Sequence, residues 1–275
     1  MTVDLRADRR VAVGMTVAQL RRQSYLSLFW LAARECLRVS RLWSQTVVAP
    51  VVSSLLFVVV FGLSLGNRIR HVGGFDYEVF ILPGLVAMAM LTAAYANNSS
   101  SIFQARNDRY IDDILAAPML PWQVDIGLTV GGVLRALLIG GALTAVAAPL
   151  LGVPIAEPLL LIAASLAAIM LFASLGVIVG IYAQTWDHHS FVSNLVIQPL
   201  AFVGGVFYSV EILPSPWQQL SHANPLFYMV DAIRHGFLGQ SDVSPLVSLP
   251  ITCGLAAGMF MWSAWLFRSG HKLKP

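Results

Sequence analysis

Arg135 is the residue whose chemistry most needs a place. It stands about twelve residues into a long apolar stretch, roughly 18 Å along it at the rise of an α-helix. A charge at that depth of a bilayer costs at least about 2.5–3.5 kcal/mol. It must therefore face other helices, a wet path or backbone carbonyls rather than lipid. Asn97 and Asn98, in the preceding apolar stretch, are its candidate side-chain partners, and the three are the candidates for lining a path or for tying helices together. Other chemistry is thin. His188 and His189 are neighbours, so on a helix their side chains diverge by about 100°. They share the short segment Thr185–Ser190 with Asp187, which reads as a turn and not as a metal site. Cys36 and Cys253 are far apart and read as small apolar residues, not as a disulfide or metal ligands. No catalytic residue and no metal site are expected.

Lysine decides a further question. A P-loop needs a Lys after its glycines to hold the nucleotide phosphates. The only lysines are Lys272 and Lys274, so these 275 residues contain no such motif. If ATP drives this protein, another chain supplies the site, and no cofactor is bound here.

The elements that carry these residues follow from composition. Of the residues, 57% are hydrophobic and 11% charged, with a mean hydropathy of +0.73. A soluble domain carries about a quarter charged residues. Six stretches have the roughly 20 apolar residues that a spanning helix needs: about 45–66, 79–102, 123–151, 158–184, 191–208 and 245–267. The expected fold is an all-α membrane protein with six transmembrane helices. Between the fifth and sixth, residues 209–240 are half apolar, rich in Pro and aromatics, and too polar to span. They read as short helices at the outer interface. Residues 1–23, with five arginines and no apolar core long enough for a cleavable signal, read as a cytoplasmic disordered tail, and 269–275 as a second cytoplasmic tail.

Lys and Arg placement sets the orientation. With the N-terminus inside, 13 lie in cytoplasmic pieces, 3 (Arg68, Arg70 and Arg234) lie outside, and Arg135 lies within a span. That bias gives both termini inside (N-in/C-in), which requires an even number of spans. The pI near 9.1 then reflects cytoplasmic segments facing anionic lipid, with no nucleic-acid partner.

Two cytoplasmic segments stand apart. Over 24–43, Trp30, Arg34, Arg38 and Arg41 recur on one side of a helix and Phe29, Ala33, Cys36 and Trp43 on another. A basic amphipathic helix of this kind is expected to lie in the membrane surface. The connection 105–123 is charged, then apolar, then broken by Pro118 and Pro121. A short helix there would present Ile111, Ile114 and Leu115 as an apolar ridge to a partner, flanked by Asp108, Asp112 and Asp113. Four spans also carry Gly-x-x-x-Gly, at Gly62/Gly66, Gly127/Gly131, Gly176/Gly180 and Gly254/Gly258. Close helix packing is expected at all four.

Arg109 through Pro118 (RYIDDILAAP) resembles the cytoplasmic R-x-I-E-E-L-L-x-A-P stretch of ABC-2-type permeases, with Asp112-Asp113 where Glu-Glu is usual. FVGGVFYS at 202–209, Leu213-Pro214, Trp217, NPLFYM at 224–229 and RHGFLG at 234–239 resemble that family's C-terminal signature. FILPG at 80–84 and AYAN at 94–97 also fit. The resemblance runs from about Leu28 to the C-terminus. It implies a half-transporter of the bacterial inner membrane, transmembrane over 44–268, working as a homodimer with a separate ABC ATPase subunit that binds ATP and Mg. It implies export. It marks Arg109, Tyr110, Ile111, Asp112, Asp113, Ile114, Leu115 and Pro118 as the ATPase-coupling segment. It marks Trp30, Arg34, Glu35, Arg38 and Arg41 as the interface helix. It places Glu211, Asn224, Pro225, Tyr228 and Arg234 in a pair of short outer re-entrant helices.

The expected cargo is lipophilic or amphipathic, such as a drug, a lipid or a lipid-linked glycan, moved by alternating access. Rival classes are a membrane-embedded lipid-modifying enzyme and an ATP-independent carrier or channel. The first needs converging acid–base groups inside the spans, where only Arg135 and a few amides are found. The second is favoured by inverted repeats, and none is convincing.

Overall fold

A computed structural model describes residues 17–65, 71–270 and 272–273. The sequence expectations for 1–16, for Gly66, Arg68 and Arg70, and for Lys274 lie outside the described residues. Helix α1 (Val17–Arg41) leads through a π-helical turn (Ser44–Val48) into α2 (Ala49–Leu65). A two-residue antiparallel hairpin, β1 (His71–Val72) with β2 (Phe75–Asp76), precedes α3 (Tyr77–Asn107). Then come α4 (Ile111–Ala116), α5 (Pro121–Leu151) and α6 (Pro158–Tyr182). The next helical run joins α7 (Trp186–Phe191), a π segment (Val192–Ile197) and α8 (Gln198–Val203). A short 3-10 turn (Val210–Ile212), α9 (Ser215–Ala223), α10 (Pro225–Leu238) and α11 (Pro245–Ser269) complete the chain.

Among the described residues, five helices are long and apolar enough to cross a membrane: Ser44–Gly62, Tyr77–Asn107, Pro121–Leu151, Pro158–Tyr182 and Pro245–Ser269. The fifth expected span, 191–208, differs. Its helical run begins earlier, at Trp186, and stops at Val203, where Gly204 and Gly205 turn the chain; Gly205 takes the left-handed φ of +78°. That run is roughly 27 Å long, just short of a hydrocarbon core of about 30 Å, and it opens on the polar residues Asp187, His188 and His189. His188 is bound into this turn, its Nδ1 accepting the Gln184 N–H at 3.1 Å.

Helix α3 is the core of the bundle. It packs on α6 and α5 through small residues: a Cβ on Gly176 would meet Tyr95 O at 2.5 Å, and one on Gly132 would meet Asn98 Oδ1 at 2.5 Å. A Cβ on Gly180 would meet Ser99 O at 2.8 Å. Side chains from α3 also hold the run from α7 to α8 and the turn that follows it. The Tyr95 hydroxyl donates to His189 O at 2.8 Å and that of Tyr77 to Phe207 O at 3.2 Å. Close packing thus holds for Gly176/Gly180 and Gly127/Gly131. It fails at Gly254/Gly258, where an added Cβ meets nothing within 4 Å among the described residues. The spacing alone cannot say which face of a helix turns inward.

Candidate functional site

At one end of the bundle α1 lies against α5. The stripe Leu31, Glu35 and Val39 is buried. Leu28 and Leu31 sit over Gly127, and Glu35 over Gly131. The sequence reading laid this helix in the membrane surface, with an arginine face and a Phe29/Cys36 face. Besides those two faces the structure buries a third stripe against the bundle, because the two glycines leave room for it. Trp30, Phe29 and Tyr25 stay exposed. Cys36 is half-buried, and burial first, then the Glu35 carboxylate, push its thiol above its ordinary value, which keeps it protonated and unreactive.

Glu35 is the centre of this end. It is 1% exposed and takes three donors: Arg34 Nη2 at 2.8 Å, Arg38 Nε at 3.1 Å and Ser101 Oγ at 2.9 Å. Arg38 Nη2 donates onward to Asn97 O at 3.0 Å. A buried carboxylate survives only when paired and hydrogen-bonded, and here its pairing fastens α1 to the C-terminal half of α3. Arg41 remains exposed.

The loop from α3 to α4 closes on the same place. Arg109 takes a left-handed φ of 61°, which turns the chain into α4. The Arg34 guanidinium lies 5.1 Å from the centre of the Tyr110 ring. Burial raises the Tyr110 phenol above its ordinary value, against the opposing pull of Arg34. Ile111 and Ile114 are buried at 1% and 7%, in a cluster with Leu128, Val177 and Phe267, and Leu115 is half-buried. The apolar ridge expected to face a partner therefore faces the bundle, because a six-residue helix needs those contacts to stay folded. What α4 exposes is Asp112, Asp113 and Ala116, with Arg109 before it and Pro118 after it. Between α1 and this loop lies a groove of about 960 Å³, with Arg34, Arg38 and Arg41 on one wall and Tyr110 and Asp113 on the other.

Arg106 escaped notice in the sequence as one charge among several. It caps the end of α6, where Nη1 donates to Ile181 O at 2.6 Å and Ala183 O at 3.0 Å. A cation on the last carbonyls of a helix satisfies groups that have no partner of their own. Asp125 was missed because it stands at the edge of its apolar stretch. It is fully buried and accepts the Ser263 hydroxyl of α11 at 2.8 Å. The interior therefore holds more ionisable groups than Arg135 alone.

Arg135 does not pair with the asparagines. Its Nε donates to Thr46 O at 3.0 Å, a carbonyl of the π turn, where the widened ladder frees backbone acceptors. Asn98 instead binds Ala173 O at 3.1 Å, and the Asn97 amide donates to Asn98 Oδ1 at 3.3 Å. These amides tie α3 to α6. Two terms oppose each other in an Arg135→Met variant. Losing a charged hydrogen bond costs about 1.5–3 kcal/mol, and removing an intramembrane charge returns about 2.5–3.5 kcal/mol. The expected result is a thermal unfolding midpoint in detergent within a few degrees of the parent. A fall of more than about ten degrees would make Arg135 an essential strut.

At the opposite end, Asn224 caps α10, its Oδ1 accepting the Leu226 N–H at 3.0 Å while its amide donates to Leu200 O at 2.6 Å. Pro225 occupies the first turn, and the Tyr228 hydroxyl braces α9 through His222 O at 2.9 Å. These three shape the segment. Glu211 is exposed and Arg234 is buried.

Comparison with known proteins agrees with this architecture. Residues 27–238 match the ABC-2 type transporter family. The inner membrane transport permease YadH of Escherichia coli K12 is 40% identical over 228 residues, covering 81% of this chain and 89% of that protein. Nodulation protein J of Rhizobium leguminosarum bv. viciae is 28% identical over 231 residues, covering 82% of this chain and 89% of its own length. That of Rhizobium meliloti is 26% identical over 238 residues, covering 85% and 90%. With a bundle of apolar helices, a charged end built on Glu35 and a family match over most of its length, the chain belongs to the ABC-2 type transporter membrane family.

Proposed function

We propose that this chain is the permease half of an ATP-driven exporter in a bacterial inner membrane, fuelled by a separate P-loop ATPase. The carrying observation is a transporter-family match over residues 27–238 in a chain whose only lysines are Lys272 and Lys274. A translocase of this family without a P-loop lysine must borrow its nucleotide chemistry. The name of the E. coli relative supports the inner membrane and the transport role. The Lys and Arg bias supports both termini inside, with the run from Trp186 to Val203 completing six crossings.

On this reading the ATPase docks on the exposed Asp112–Asp113 face and the groove beside α1. Its closure on ATP pulls on α4 and α1, and the Glu35 cluster passes the movement to α3. Two copies of the chain enclose the path, and the cargo is lipophilic or amphipathic. ATP must favour one arrangement by several kcal/mol for the step to be driven. The test is co-purification with ABC-type P-loop ATPases of the same cell, any encoded beside this gene first, followed by ATP hydrolysis in proteoliposomes. Expected is a stable complex whose hydrolysis exceeds that of the ATPase alone by several-fold. A chain that moves cargo with no nucleotide-consuming partner would overturn the proposal.

A further inference from the structure

Arg234 has a charge and too few partners. It is 2% exposed, on α10. Its Nη2 donates to Gly205 O, and its guanidinium carbon lies 4.2 Å from the centre of the Phe80 ring. Nε and Nη1 have no hydrogen-bond partner among the described residues. Buried donors left unmade are costly, the more so on a charged group. The nearby carboxylates make no hydrogen bond to it among the described residues; each turns part of its acceptor capacity, roughly four lone-pair sites, to other donors and keeps the rest. Asp231 accepts the Asp242 and Val243 N–H groups at 2.9 and 3.0 Å. Asp242 accepts the Ser209 hydroxyl at 2.8 Å and the Val210 N–H at 2.7 Å.

Arg234 lines a cavity of about 640 Å³ between the β1–β2 hairpin and the start of α3 on one side and the 3-10 turn and α10 on the other. Glu211 and Asp242 line it too, with the apolar side chains of Phe80, Ile212 and Leu238. His71 also lines the cavity and is paired with Asp76 at 3.1 Å; the remaining guanidinium and two carboxylates repel a simple anion, yet the unsatisfied guanidinium needs an acceptor. A ligand carrying both an acceptor anion and a cation meets both demands. We propose that this cavity binds the zwitterionic headgroup of an outer-leaflet phospholipid, with its phosphate on Arg234, its ammonium on Glu211 and Asp242, and its first methylenes on the apolar wall. The leaflet rests on the N-inside orientation proposed above; the cavity chemistry does not.

The test uses the full-length chain purified in detergent, without nucleotide, and follows its thermal unfolding midpoint by tryptophan fluorescence. Dihexanoyl phosphatidylethanolamine should raise the midpoint saturably, and dihexanoyl phosphatidylglycerol, which lacks the ammonium, should not. Soluble glycerophosphoethanolamine should act more weakly, separating the headgroup from the chains. Glu211→Gln, at an exposed position, should weaken the phosphatidylethanolamine response at least about fivefold while leaving the lipid-free midpoint unchanged. Arg234→Met should abolish the response; if that variant does not fold, Glu211→Gln decides. Equal responses to both lipids, or a Glu211→Gln response equal to the parent's, would overturn the proposal. Orientation is tested separately, by labelling a single cysteine at position 240 with an impermeant reagent in intact cells. Failure there removes the outer leaflet and the transport topology, but not the lipid site.

Discussion

Replacing Asp112 and Asp113 together by lysine is expected, on the proposed docking of an ATPase at α4, to lower ATP-driven transport by at least tenfold while the purified chain unfolds at the parent temperature. Both carboxylates stand exposed on α4, so the fold asks little of them. Like-charge juxtaposition across an interface costs several kcal/mol, and each 1.4 kcal/mol is a factor of ten in affinity. Ile111→Ala gives the contrast. Ile111 is 1% exposed, and emptying such a site costs about 2–5 kcal/mol of stability. Both variants should lose transport, but only the alanine variant should lose thermal stability as well. The pair of measurements separates docking from folding. If the double lysine variant, assembled with its ATPase, supports hydrolysis and transport at the parent rate, the proposed docking on the exposed face of α4 is overturned.

Gly176→Ala is expected to collapse the yield of folded protein, although it adds one methyl group to an apolar helix. Its Cβ would meet Tyr95 O at 2.5 Å and both Asn98 Cβ and Ser99 N at 3.1 Å. Backbone atoms of α3 cannot swing aside as a flexible side chain can. Overpacking of this kind costs about 1–3 kcal/mol, a large share of a marginal stability. Gly254→Ala is the matched control, because an added Cβ there meets no other element within 4 Å among the described residues. Alanine is the better helix former by about 0.5–1 kcal/mol, so this variant should be as stable as the parent or slightly more so. Fluorescence-detected size exclusion of both variants checks the contrast. A Gly176→Ala variant as stable as the control would mean that α3 and α6 are not packed as described.

The two arms share a motif and differ only in their surroundings. Gly-x-x-x-Gly reads the same at Gly176/Gly180, at Gly127/Gly131 and at Gly254/Gly258. It seats α3 in the first case, the α1 stripe in the second, and nothing among the described residues in the third. A small residue permits close approach, and only a neighbour makes use of it. The same limit explains α4. Its composition promised an apolar ridge, but whether Ile111 and Ile114 point to a partner or to the bundle depends on what lies beneath them, here Leu128 of α5 and Val177 of α6.

The sequence by itself determined that the chain fills a membrane with helices, that it has no P-loop lysine, and that Arg135 needs an internal partner. These follow from hydropathy, residue inventory and the cost of a charge in hydrocarbon, none of which depends on neighbours. It also marked Arg34, Arg38 and the Asp112–Asp113 pair as surface chemistry. Tertiary structure alone decided which partners the charges found. Arg135 went to a carbonyl of a π turn, Glu35 to Ser101 of α3, 66 residues away, and Arg234 to a cavity beside Phe80. A buried charge takes whichever acceptor the packed helices bring within about 3 Å, and periodicity fixes the faces of one helix without fixing which helix lies opposite.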